Sequence, residues 1–337
     1  MAGPKISKAG NGAGSPSLNG AAAAWVMMLA LVAAVFVTYS RVDVGDLYHV
    51  SHGGLAGGAG RALVAVNFPV AIAALAILPI VLGRLLWAAA PGGGRRLLVL
   101  ATAAASAGLC AVAAWPGVVS QSDLDAKPIN LIPAVGVALA LGLSIAAART
   151  PGTKTAGVTA WFSIAGLALV GLIVFLSLPW VFAVLGFFVG DVPGLGTIFL
   201  SDEYKPAGAS LPAVHLGDHH GLDAALLAIS ALLLMPASTE IAGRGLRRLG
   251  IALVALLFVY GMANFVEDFW GEQVVKRGWT DWHIPQMIRP ELAPAWGVVL
   301  LAAAGTYMLL AEGPRWTMKR PRGASRDIHG GRLWKPH

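Results

Sequence analysis

The sequence predicts an all-α integral membrane protein, a bundle of about eight transmembrane helices with long extracytoplasmic loops. Only 12% of its 337 residues are charged, about half the share in a typical soluble domain. Several uninterrupted apolar runs approach or exceed the roughly 20 residues that a helix needs to cross a bilayer. Basic residues concentrate in alternate loops and acidic residues in the others, as expected for a chain that crosses a membrane repeatedly.

The apolar runs follow one another along the chain with polar segments between them, at residues 21–39, 62–82, 97–115, 131–147, 158–189, 222–237, 249–265 and 295–310. No Ala-x-Ala cleavage site follows the first run, which therefore predicts a retained span. Pro69 and Pro79 predict kinks in the second span. Residues 1–20 are predicted to form a disordered cytoplasmic tail, 21–311 the membrane domain, and 312–337 a basic cytoplasmic tail.

The fifth run, 158–189, is too long for one upright helix and too short for two helices and a turn. It contains Pro179, and we expect one tilted or kinked span. A span followed by a short re-entrant segment is the alternative. Division into two full spans is rejected, because it would place Arg244 and the basic tail outside the cell.

The loop charges predict the orientation of the bundle. With a cytoplasmic N-terminus and eight spans, 17 of the 24 lysine and arginine residues lie on the cytoplasmic side. The positive-inside rule therefore predicts that both termini are cytoplasmic, in a multi-pass protein of the plasma (inner) membrane. This distribution also accounts for the net charge of +7 without nucleic acid as a partner.

The predicted extracytoplasmic side carries most of the chemistry-bearing residues. It holds 14 of the 17 acids and six of the eight histidines, on the longer loops. Functional residues concentrate on such loops when a rigid scaffold positions them. We therefore expect the site on that side.

The densest cluster precedes the sixth span and contains His215, Asp218, His219, His220 and Asp223. If this segment is helical, His215 and His219 share a face at i and i+4, a spacing that suits two imidazoles on one metal. Asp218 or Asp223 would then be a third ligand or would orient an imidazole. The alternative is a solvated loop in which Asp218 caps the sixth helix.

A second cluster, Asp43, Asp46, His49 and His52, follows the first span. Its two pairs, each three residues apart, also suit one helical face. A polar loop is the alternative.

A third cluster follows the seventh span. Asn264, Asp268 and Glu272 are spaced at i, i+4 and i+8, so a helix that continues past Phe265 would place them on one side, with His283 further along. The nearby tryptophans equally fit an interfacial aromatic belt.

Two short motifs resemble three known families. His215-x-x-x-His219-His220 resembles one histidine box of membrane di-iron hydroxylases and desaturases, and its spacing resembles that of membrane hydrolases related to alkaline ceramidases. Asp43 and Asp46 resemble the acids of the first outer loop in lipid-linked glycosyltransferases. These likenesses imply oxidation, hydrolysis and group transfer, respectively. Each covers a few residues, so no family is assigned.

The sequence therefore predicts a metal-dependent membrane enzyme that oxidises or hydrolyses a lipid or other hydrophobic substrate. Without thiolates, these ligands suit zinc, copper or iron. Two alternatives remain open: a non-catalytic subunit of a membrane complex or ion-handling protein, and a metal-free transferase with a lipid-linked donor. The predicted metal ligands are His49, His52, His215, His219, His220 and His283, and the predicted catalytic residues are Asp46, Asp218, Asp268 and Glu272.

Overall fold

The computed structural model describes residues 16–47, 50, 53–89, 93–115, 117–118, 123–151, 164–187, 200–201, 211–212, 214, 219–285 and 294–312. Within these ranges the chain forms eight helical segments that are long and apolar enough to cross a membrane. This agrees with the predicted helical bundle of about eight spans. The membrane in which the protein resides, the side on which its termini lie, the long outer loops and the two tails stay predictions.

The helices are α1 (Asn19–Tyr39), α2 (Gly57–Ala65), α3 (Ala71–Ala88), α4 (Gly94–Ala111), α5 (Leu131–Ala148), α6 (Ile164–Val184), α7 (His220–Glu240), α8 (Arg244–Trp270) and α9 (Pro294–Glu312). Helices α2 and α3 are joined by a π-helical turn, Val66–Val70, into one span. A second π-helical turn, Gly271–Val275, extends α8. Two-residue strands, β1 (Leu200–Ser201) and β2 (Leu211–Pro212), pair antiparallel between α6 and α7.

Within its described residues, 164–187, the fifth apolar run forms one helix, α6, with Pro179 inside it. The remaining residues of the run, 158–163 and 188–189, lie outside the described residues, so the choice between one long span and a span with a re-entrant segment stays open. Of the two predicted kinks in the second span, the one at Pro69 is confirmed, because Phe68 has non-helical angles of φ −140° and ψ 116°. At Pro79 the helix α3 continues without interruption.

The span α2–α3 and helix α7 form the centre of the bundle, whereas α4 and α9 lie at its periphery. Of the most apolar 18-residue stretch of each helical span, 78% is buried in α2–α3 and 72% in α7, whereas only 22% is buried in α4 and 11% in α9. Exposed apolar faces on peripheral helices are expected where lipid, rather than water, surrounds the protein.

Glycines allow helices of the bundle to come into close contact. A Cβ atom at Gly261 of α8 would lie 2.7 Å from the backbone nitrogen of Ala228 in α7, and one at Gly136 of α5 would lie 2.7 Å from that of Cys110 in α4. Small residues let membrane helices approach backbone to backbone, where dispersion replaces the missing hydrophobic driving force. The α7–α8 hairpin is therefore tightly packed, and its open end carries the candidate site.

A buried amide pair fastens the kinked α2–α3 span to the start of α5. The Asn67 amide donates to the carbonyl groups of Leu63 and Asn130, each at 2.9 Å. The Asn130 amide donates to Asn67 Oδ1 at 2.9 Å and to the Val118 carbonyl at 2.7 Å. These hydrogen bonds satisfy buried polar groups, which would raise the free energy of the folded protein if they were left without partners inside a membrane bundle.

Replacing Asn130 with alanine should destabilise the protein by about 2–4 kcal/mol, because it leaves Asn67 Oδ1, the Val118 carbonyl and the Lys127 amide without the Asn130 side chain as partner. Thermal unfolding in detergent, followed by circular dichroism, measures the loss. Asn19→Ala, at an exposed position where α1 begins, is the control and should change the free energy of unfolding by less than about 0.5 kcal/mol. Equal effects of the two variants would contradict the assigned role of the amide pair.

Candidate metal centre

The candidate site lies where α7 begins and α8 ends, at the end of the bundle opposite Asn19 and Glu312. His219 precedes α7 with extended angles of φ −113° and ψ 122°. Its carbonyl accepts a hydrogen bond from the Asp223 amide at 3.0 Å, which closes the first helical turn. Helix α8 continues past Phe265, and together with the π-helical turn that follows it places Asp268 and Glu272 on successive turns.

His219, Asp268 and Glu272 form the triad of the candidate site. Each offers one ligand atom, and these three atoms lie within 4.8 Å of one another. His219 is 1% exposed and Glu272 is 6% exposed. The triad therefore brings one imidazole and two carboxylates together in a mostly buried position.

The Glu272 carboxylate contacts side chains from three segments of the chain. Its Oε2 accepts a 2.7 Å hydrogen bond from the Trp180 indole of α6 and lies 3.4 Å from His219 Nδ1. Its Oε1 lies 3.3 Å from the ammonium group of Lys276, whose side chain is about one-third exposed. Glu272 thus links α6, α7 and α8, and Lys276 offsets part of the negative charge.

Asp268 is held by the first turn of α7. Its Oδ2 accepts a 2.6 Å hydrogen bond from the backbone amide of Gly221. A helix N-terminus exposes such amides and stabilises negative charge. A Cβ atom at Gly221 would collide with the Trp180 ring and would lie 2.6 Å from Asp268 Oδ2. Only a glycine therefore allows α7 to approach both side chains this closely.

The donor set can hold a divalent transition metal. Imidazole nitrogen and carboxylate oxygen are ligands of zinc and iron in proteins, and three protein ligands are typical of catalytic sites that keep a position for water or substrate. Two carboxylates also supply the negative charge that a divalent cation needs when it leaves water.

Two other predicted histidines that the structure describes lie elsewhere. His220, the next residue after His219, faces the ring of Phe68, with the ring centroids 6.0 Å apart. His283 is exposed. Neither belongs to the triad. Asn264, one turn before Asp268, is buried and donates from its amide to the Tyr260 carbonyl at 2.8 Å.

Five of the predicted site residues cannot be placed in this way. His49, His52, His215 and Asp218 lie outside the described residues, and Asp46 is described only as the last backbone position of the short 3-10 helix Val44–Asp46. Their roles stay predictions. The expected helical pairing of His215 with His219 required a helix that includes His219, but His219 is extended and α7 begins at His220.

Trp180 and Gly221 were not predicted as site residues. Trp180 lies in an apolar run, where the sequence cannot distinguish an indole that donates a hydrogen bond to a site from one that only packs in the core. Its position next to Pro179, towards the end of the run, was the available signal of a special role. Its ring packs edge-on against Phe265 and Phe269, with centroid distances of 5.7 and 6.3 Å. Gly221 carries no signal in a chain with 42 glycines.

Trp180→Phe should destabilise the protein by roughly 1.5–3 kcal/mol, because it keeps an aromatic ring but removes the hydrogen bond to the Glu272 carboxylate. Unfolding in detergent measures the change. Trp270→Phe is a matched control, since Trp270 Nε1 donates to a neutral carbonyl, that of Trp282, in an exposed setting. It should cost only about 0.5–1 kcal/mol. A Trp180 variant as stable as the control would refute this assignment.

The chain matches no protein-family model, and neither the curated proteins nor the solved structures gave a significant match.

Proposed function

We propose that the protein is a metal-dependent membrane enzyme in which His219, Asp268 and Glu272 hold a divalent transition metal, namely zinc, iron or copper. One observation carries the proposal: ligand atoms from three side chains, contributed by the start of one helix and the end of another, lie within 4.8 Å of one another. A metal held by these residues would supply Lewis-acid activation of water for hydrolysis, or, if it is iron or copper, redox chemistry for an oxidation.

The burial of the triad supports a bound cation. Carboxylates at membrane depth are costly unless they are paired, and such residues usually mark functional positions. Lys276 contributes one positive charge beside Glu272, whereas the triad carries two carboxylates. A divalent cation would offset the remaining charge and would use the imidazole as a ligand.

The location of the triad supports a hydrophobic substrate. It lies near one end of the helices that are long enough to cross a membrane, the level at which a bilayer around these helices would meet water. The distribution of lysine and arginine residues favours the extracytoplasmic side of the plasma membrane for this end. Lipids and similarly apolar molecules are therefore the proposed substrate class.

The test of the proposal begins with elemental analysis of the detergent-purified protein. We expect about one zinc, iron or copper atom per chain, removed by a chelator and restored by the same metal. Hydrolysis or oxygen consumption with a mixture of membrane lipids should follow the same loss and recovery. Protein that is fully folded and metal-free, and that takes up no added metal, would refute the proposal.

The second candidate function is that of a non-catalytic subunit. A specific observation favours it: Trp180, Lys276 and the Gly221 amide already contact the carboxylates of the triad. In that case the triad fastens α6, α7 and α8 together and holds no metal. We would then expect the protein to co-purify with other membrane chains, and Glu272→Gln to lower its stability without changing its metal content.

A further inference from the structure

Trp180 lies outside the triad but holds one of its oxygen atoms. The Trp180 indole donates a 2.7 Å hydrogen bond to Glu272 Oε2. The indole nitrogen is the only polar atom of a tryptophan side chain, and it can only donate. Because Trp180 is 0% exposed, this single donor is directed at a carboxylate inside the protein and not at solvent.

Packing fixes the indole in this position. The Trp180 ring meets Phe265 and Phe269 edge to face, with centroids 5.7 and 6.3 Å apart. On another side, the chain passes so close at Gly221 that a Cβ atom there would collide with the ring. Since protein interiors are close-packed, a ring held on these sides cannot turn freely. The indole is therefore a rigid donor, whereas a glutamate side chain has several rotatable bonds.

The oxygen that Trp180 holds is also the oxygen that lies beside His219. The distance from Glu272 Oε2 to His219 Nδ1 is 3.4 Å. Bonds of about 2.0–2.1 Å from one zinc ion to a nitrogen and an oxygen ligand, in a tetrahedral arrangement, place those two atoms roughly 3.3 Å apart. Oε2 and Nδ1 thus have the separation of two ligands of one metal ion. A carboxylate oxygen has two lone pairs, so Oε2 can bind a metal while it accepts the hydrogen bond from the indole.

The second carboxylate oxygen of Glu272 faces a different group. Its Oε1 lies 3.3 Å from the ammonium group of Lys276. An ammonium group and a metal ion repel each other, so the oxygen beside Lys276 is the less favourable of the two for a metal. The two oxygens therefore differ in their surroundings, with Oε2 next to His219 and Oε1 next to Lys276.

We propose that Trp180 is a positioning residue of the metal centre, which makes Glu272 bind the metal through Oε2 alone. This inference rests on the proposed function and adds to it the binding mode of Glu272. A glutamate that binds through both oxygens occupies two coordination positions, whereas one that binds through a single oxygen occupies one. With His219 and Asp268, a singly bound Glu272 gives three protein ligands, the number typical of zinc sites that keep a fourth position for water or substrate. Trp180 thus keeps that position open.

Cobalt(II) alone is the probe that tests this binding mode, because its visible absorption is intense in four-coordinate sites and weak in six-coordinate sites. We expect an intense band when the metal-free, detergent-purified protein takes up cobalt. Trp180→Phe keeps an aromatic ring but removes the donor, so Glu272 can turn and bind through both oxygens. The cobalt band should then weaken and shift, and the zinc affinity should fall about ten-fold or more. A cobalt band that is unchanged in this variant would overturn the proposal.

Two control variants separate positioning from a general loss of stability. Asn130→Ala breaks buried hydrogen bonds to Asn67 and Val118 that do not involve the triad. Trp270→Phe removes an indole donor whose acceptor is the Trp282 carbonyl. Both variants should keep the cobalt band and the zinc affinity of the wild-type protein. If Asn130→Ala changed the band as much as Trp180→Phe does, Trp180 would have no specific effect on Glu272, and the proposal would fail.

Infrared spectroscopy of the wild-type protein tests the binding mode even if Trp180→Phe does not fold. In protein with isotopically labelled glutamate, the difference spectrum between the zinc-loaded and metal-free forms separates the carboxylate stretches of Glu272 from those of Asp268. Binding through one oxygen widens the separation between the antisymmetric and symmetric stretches, and binding through both oxygens narrows it. We expect the separation to widen. A narrower separation would contradict the role given to Trp180.

Metal uptake by the wild-type protein separates this inference from the proposed function. Wild-type protein that binds zinc, together with a Trp180→Phe variant whose cobalt band is unchanged, would overturn the positioning role and leave the proposed metal centre in place. Wild-type protein that takes up neither zinc nor cobalt would refute the proposed function, and this inference with it.

Discussion

His219→Ala should reduce the bound metal from about one atom per chain to almost none. His219 offers the only nitrogen ligand atom of the triad. Because His219 is only 1% exposed, no other side chain can move in to replace its imidazole as a ligand. Losing a residue that merely orients a ligand already costs about 10- to 100-fold in metal affinity, so losing a ligand should cost more than roughly 100-fold. Elemental analysis after gel filtration, and a competition titration with a metal-sensitive dye, measure both quantities.

Two further variants and a control complete this test. Glu272→Gln and Asp268→Asn preserve the shape of the side chain but remove a charged ligand, and each should also release the metal. His283→Ala should retain it, because His283 is exposed and does not belong to the triad. Metal that persists in all three triad variants, or that is lost from the His283 variant, would place the ligands elsewhere.

Gly221→Ala should be the most damaging small substitution in the first turn of α7. The added methyl group would collide with the Trp180 ring and approach Asp268 Oδ2 at 2.6 Å, and a buried ring cannot turn away freely. Overpacking of this kind costs about 1–3 kcal/mol. The displaced first turn would also weaken the hydrogen bond that its amide donates to Asp268. We expect both a lower unfolding temperature and weaker metal binding.

Gly271→Ala provides the matched control for this substitution. Gly271 lies near the triad at the end of α8, has helical angles of φ −58° and ψ −49°, and an added Cβ atom would meet nothing within 4 Å. Exchange of a helical glycine for alanine at an open position stabilises by about 0.4–1 kcal/mol. If Gly221→Ala proves as harmless as Gly271→Ala, the tight contact among α6, α7 and α8 is wrong.

The helical spans could be predicted from sequence because the bilayer sets their length and polarity. Each of the eight apolar runs corresponds, within the described residues, to a helix long and apolar enough to cross a membrane. The ends were less predictable. Helix α8 continues beyond the apolar run that ended at Phe265, into a region where Asp268 accepts a hydrogen bond from the Gly221 amide and Glu272 accepts one from the Trp180 indole.

The sequence predicted the types of side chain in the triad, imidazole and carboxylate, but only partly which residues provide them. His219, Asp268 and Glu272 were among the residues predicted from sequence, since imidazoles and carboxylates are rare in so apolar a chain. The sequence offered no basis for choosing between His219 and His220. That difference arises where an extended residue meets the first turn of a helix and neighbouring side chains diverge. The contact of α6 with this turn, made by Trp180, could not be predicted, because no periodic pattern in the sequence indicates it.

The placement of the first and last described helix ends has a practical consequence for handling the protein. Because α1 begins and α9 ends at the end of the bundle away from the triad, the length of a 21-residue helix, roughly 30 Å, separates these two positions from it. An affinity handle, a fluorophore or a surface attachment placed beyond either helix therefore leaves the opposite face open. Immobilised protein can then receive a metal ion or an antibody from the unobstructed side.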